Sequence, residues 1–164
     1  MLIFLIESLV LIVIFTLSVV TMARRKKPID YVYDYPTPII DRCYELGLIT
    51  QKPEKLRASV LLVKAAIMAV LGIPLGLLVM KLNHAETFWQ GFLIVYGLAA
   101  VVCAYDVLLD IVWFCGNPKF VIPGTEDLEK YYKDYSFHVR ASLRGLLLSL
   151  PLALVAGLTV WILA

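Results

Sequence analysis

Asp106 and Asp110 stand four residues apart within Phe88–Phe114, a stretch otherwise made almost entirely of apolar residues. Helical spacing puts both carboxylates on one face, with Cys103 a turn earlier on the same stripe. Ionisable groups inside a membrane span are costly and by default mark substrate, ion or proton sites. Two such acids could bind a proton or ion, share Mg²⁺ with a substrate phosphate, or serve as a general base.

Depth arguments gather other charges around them. At 1.5 Å rise per residue, Asp106 lies ~10 Å inward from Trp113, Asp110 only ~5 Å, and Lys64 ~8–10 Å inward from Arg57. Arg144 enters at the start of the last apolar segment, with His138 and Arg140 just below it. Three arrangements are compatible with this spacing. Lys64 and Arg144 could neutralise the acids in buried salt bridges that fix helix register without chemistry. The charges could instead line a polar cavity that binds a headgroup, proton or ion. Asp110 and Arg144 could also simply snorkel to the interface. In the cavity arrangement Asp106 and Asp110 are the catalytic candidates, and Lys64, His138, Arg140 and Arg144 are the substrate-binding ones.

No metal set is assigned. Asp134 and His138 would share a helix face, but the two central acids lack the supporting carboxylates of a metal-binding motif. The two histidines, His84 and His138, are predicted on opposite sides of the membrane. No cofactor is implied either: there is no P-loop, GxGxxG or GxSxG, and Gly72–Gly76 lies mid-span. The segments 120–126 and 132–138 are distinctive, yet no function attaches to them.

The elements that must position these residues are membrane helices. Of 164 residues, 61% are hydrophobic, and mean hydropathy is +0.84. Soluble domains carry roughly 45–50% apolar residues. About 20 apolar residues cross a hydrocarbon core, and four segments qualify: Leu2–Met22, Ser59–Met80, Phe88–Phe114 and Gly145–Ala164. The first resembles a signal peptide, but its basic residues follow the apolar run, so it is read as a retained span. The expected fold is all-α: one membrane domain, a bundle of four transmembrane helices with short cytoplasmic helices in the two long connections.

Those connections cover residues 23–58 and 115–144; a short outer loop covers 81–87. The first, with its flank, holds eight Lys and Arg residues and the second holds five, whereas Lys81 is alone on the other side. The positive-inside rule makes both connections cytoplasmic and sends both termini outward, with the plasma (inner) membrane as the expected location. Thr37, Pro38 and Gly47 predict a short helix over Pro38–Leu46. Pro53 is expected to open the second span and Thr125 to cap another helix.

Tyrosines and phenylalanines crowd the connections, either as an interfacial aromatic belt or as a stacking platform for a substrate ring. Small residues mark helix seams: Ala65, Ala66, Ala69, Gly72 and Gly76 in the second span, Gly97, Ala100 and Ala104 in the third, and Ala153 and Gly157 in the fourth. The first span has almost none and belongs at the periphery or against another protein. Pro74 and Pro151 should kink their helices. Cys43, Cys103 and Cys115 form no disulfide framework, and Cys43 should be open to thiol reagents from the cytoplasmic side.

These features predict a small transport or assembly component. The alternative is a membrane-embedded enzyme acting on a lipid-linked or prenyl substrate at the cytoplasmic leaflet, with the basic residues gripping its phosphate. The lipid bilayer is the expected partner, joined by a second copy or another membrane protein. A net charge of +2 does not suggest nucleic acid.

Overall fold

The computed structural model describes residues 2–52 and 58–164; the expected roles of Pro53 and Arg57 fall outside them. Of the described residues 83% are helical and none lies in a strand, and among them four helices are long and apolar enough to cross a membrane. The first is α1 (Leu2–Arg25), followed by a 3₁₀ segment (Pro28–Asp34) and the short α2 (Thr37–Glu45). Next come α3 (Ala58–Asn83) and α4 (Phe88–Leu109). A second connection carries the one-turn α5 (Glu129–Tyr132), and α6 (Tyr135–Leu148) then leads into α7 (Leu150–Leu163).

Several boundaries depart from the sequence expectation. The fourth span begins at Tyr135 rather than Gly145, because Asp134 accepts the Phe137 N–H (3.1 Å) and starts the helix inside a polar stretch. That span is broken at Ser149, just before Pro151, so this proline sits in the first turn of a new helix. Pro74 lies within α3 without ending it. α3 also runs on to Asn83, leaving a loop of four residues whose turn is made at His84 (φ 53°). Thr87 and Gln90 close a capping box at the start of α4, worth about 1 kcal/mol.

Glycine and alanine decide which spans touch. α3 and α4 both pack chiefly on α7, through Gly72, Gly76, Gly91, Ala153, Ala156 and Gly157. A Cβ on Gly72 would lie 2.5 Å from the Leu152 carbonyl oxygen, and one on Gly157 2.8 Å from that of Phe88. Lipid offers little hydrophobic drive for association, so backbone approach of this kind is what holds the spans together. α1 lies at the edge: Ser8 is its one buried residue among those described. It is fastened to α4 by a Thr16–Tyr105 hydroxyl pair (2.8 Å) and by Phe4 lying against Gly97.

The connections fold on one another into a cap with its own core, built from Val32, Ile39, Ile40, Cys43, Ile122 and Tyr132. The Tyr35 hydroxyl donates to the Phe120 carbonyl (2.7 Å), and Arg42 pairs with Asp127 (2.9 Å) across the two connections. Tyr35 and Tyr132 are therefore packed and hydrogen-bonded within the cap, while Tyr33, Tyr44 and Tyr135 remain exposed. α2 begins one residue earlier than expected, with Pro36 as its cap, and stops at Gly47 (φ 69°) as its left-handed backbone requires. Thr125 precedes a short 3₁₀ turn, but its hydroxyl donates to the Ile122 carbonyl and caps nothing.

Candidate functional site

Asp106 and Asp110 face a chamber of about 450 Å³ where α1, α4 and α6 meet the cap. At this point α4 widens into a single π turn over Asp110–Phe114, closed by the Cys115 N–H on the Asp110 carbonyl (2.8 Å). Such turns recur at functional sites because one extra residue re-aims the side chains around it. The early start of α6 brings His138 to Asp110, Nδ1 to Oδ2 at 2.7 Å. Both side chains remain partly open, at 17% and 25% exposure, so the pair borders the chamber instead of being sealed in a core. Asp106, one turn deeper, makes no side-chain hydrogen bond or ion pair with the described residues.

The cap supplies the remaining walls. Its first connection contributes Tyr31, Asp34 and Tyr35, and its second Phe120, Tyr131 and Tyr132; Phe137 closes the α6 side. Asp34 stands at the exposed rim. Its carboxyl is pushed above the usual range, first by desolvation and then by the negative charge of Asp110, with Lys26 opposing. The Tyr31 hydroxyl is buried with no hydrogen-bond partner. Burial, with Asp110 and Asp134 adding to it, pushes the Cys115 thiol up to about 11.

The charge census differs from the one the spacing suggested. Of the four basic candidates, only His138 reaches the chamber. Lys64 is exposed on α3, which follows α7 along the glycine seam and so carries Lys64 away from Asp106. Arg140 is exposed and sits 3.7 Å from Asp134, and Arg144 is exposed further along α6. Neither Lys64 nor Arg144 pairs with either acid. Asp134 is the helix cap, also held by the Ser136 hydroxyl (2.6 Å), and is not a partner of His138. Among the described residues no lysine or arginine lines the chamber, so the phosphate grip expected of the enzyme alternative is not assembled there.

Cys103 leaves the acid stripe as well. It lines a separate apolar groove between α4 and α6 with Ala100 and Ala104, where the Ser142 hydroxyl donates to its carbonyl (2.7 Å). Those two alanines line the groove between the two helices. Sequence reasoning missed Asp34 altogether. Its signal was the spacing of Tyr31 and Asp34, three residues apart, which a 3₁₀ turn places on one face.

The cysteines give a direct check on burial. Cys43 is fully buried in the cap core, which removes the accessibility expected of it. In folded protein, iodoacetamide followed by mass spectrometry should leave Cys43 unmodified. Cys115 should react slowly at pH 7–8 and faster as pH approaches its raised value of about 11, because only the thiolate attacks. Rapid labelling of Cys43 in the folded state would contradict the cap packing.

No protein-family model, no curated protein and no solved structure matches this chain.

Proposed function

We propose that this protein is a small membrane transport component whose chamber accepts a positively charged group. One observation carries the reading: Asp34, Asp106 and Asp110 open onto a single chamber in which His138 is the one ionisable base among the described lining residues. A low-dielectric cleft lined by one sign of charge concentrates ions of the other sign. Asp106, inside a span and without a side-chain partner among the described residues, is the residue on which we place the cargo contact. The excess of lysine and arginine in the two connections supports a cytoplasmic position for the cap and outward termini.

The test is reconstitution in liposomes. Wild-type protein should support cation-driven current on a solid-supported membrane. Asp106→Asn should reduce that current by about tenfold or more, since the lost charge acts inside the bilayer. Unchanged current from a variant with intact helicity and thermal stability would remove Asp106 from the mechanism.

A further inference from the structure

We propose that the charged group is an organic ammonium, a protonated or quaternary amine on an apolar body. This rests on the reading of the chamber as a cation site and goes further, to the chemistry of the cation.

Size is the first argument. A water molecule occupies about 30 Å³ of liquid, whereas the chamber holds about 450 Å³, within the roughly 300–1,000 Å³ range of small-molecule sites. A bare ion would leave most of it unfilled. Among the described residues no three His, Cys, Asp or Glu side chains gather as a metal would need.

The walls are the second argument. Tyr31, Phe114, Tyr131 and Phe137 present rings to the same space as the acids. Aromatic faces attract ammonium groups through their negative quadrupole while also burying the apolar part of the ligand. Two of these rings already do this within the protein. The Lys26 ammonium lies 5.4 Å from the Tyr31 ring centre and that of Lys130 4.8 Å from Tyr131, although neither lysine lines the chamber.

The third argument is unmet bonding. The Tyr31 hydroxyl is buried without a partner, and Asp106 has none among the described residues. Asp110, by contrast, is engaged by His138. An ammonium near Asp106 would supply the missing charge.

Isothermal titration calorimetry on the full chain in maltoside micelles would test this with benzyltrimethylammonium, its neutral isostere neopentylbenzene, and the anion benzylphosphonate. Benzyltrimethylammonium should bind, and the other two should not compete. Asp106→Asn should weaken binding by about tenfold or more, and Tyr31→Leu by roughly threefold to thirtyfold, the span of a cation–π contact. Tyr31→Leu loses no hydrogen bond seen here, so it tests the site even if Asp106→Asn fails to fold.

Repeating the titration in phosphatidylglycerol and phosphatidylethanolamine nanodiscs identifies the source. Suppression by the amine lipid marks a headgroup ammonium, and equal binding in both marks a soluble amine; either supports the proposal. Equal binding of neopentylbenzene would overturn it. So would cation current in liposomes without benzyltrimethylammonium binding, a result that leaves the transport reading standing. Preference for benzylphosphonate would overturn both.

Discussion

Replacing Gly76 with valine is expected to stop α3 from seating on α7 and to cost more stability than any polar change in the molecule. A Cβ at Gly76 would lie 2.7 Å from the Ala156 carbonyl oxygen and 2.7 Å from the Thr159 Cβ. The first of these is backbone and cannot rotate away, so one helix must move. Overpacking of well-packed interiors costs about 1–3 kcal/mol and more where backbone is displaced. Gly76→Ala should therefore destabilise by about 1–3 kcal/mol and Gly76→Val by more, read as a fall in melting temperature in detergent.

Gly145 provides the control. Its added Cβ would approach the Cys103 Sγ no closer than 3.9 Å. Gly145→Ala should be neutral or stabilising by about 0.5–1 kcal/mol, the helical preference for alanine. If both alanine variants melt alike, the seam does not pack as described.

Tyr132→Phe is the second large effect, and it isolates the cap. The Thr125 hydroxyl donates to the Ile122 carbonyl (2.7 Å), so at the 2.6 Å Thr125–Tyr132 contact the phenol is the donor. The same phenolic oxygen accepts the Ile122 N–H at 3.0 Å. Thr125 and Ile122 are 0% and 1% exposed, leaving no water to replace the lost group. Removing the phenolic oxygen orphans a buried N–H and a buried acceptor, at a cost of about 1–3 kcal/mol. The cap should become more protease-sensitive while the spans stay inserted. Thr125→Val should act on the same network, and the double variant should fall short of additivity. Full additivity would mean that the two hydroxyls act separately.

The spans were legible in the sequence because twenty apolar residues in a row have few other uses. The seam residues were legible by type, since Gly72, Gly76 and Gly157 have no reason other than close approach to interrupt an apolar helix. Which helix each would meet was not legible. Spacing along one chain says nothing about whether α3 follows α4 or α7, and that choice decided where Lys64 went.

The start of α6 was hidden for a related reason. Ser136, His138, Arg140, Ser142 and Arg144 dilute the hydropathy of its first turns, although the Asp134 cap was present to be read. The two acids stood out at once, but Tyr31, Asp34 and Phe120 beside them came from short 3₁₀ pieces with no periodic signal. The π turn at Asp110 leaves no mark on composition at all.

The sign of the chamber's charge can be measured without knowing its cargo. Ala141 lines the chamber and Lys119 is exposed. With Cys103 and Cys115 replaced by serine, Ala141→Cys is exposed to a cationic and an anionic methanethiosulfonate, and each rate is divided by that at Lys119→Cys. The normalised cationic rate should exceed the anionic one by about tenfold, as expected for a focused negative potential, and Asp106→Asn with Asp110→Asn should bring the two together. Equal rates, or a faster anionic reagent, would contradict a cation-accepting chamber.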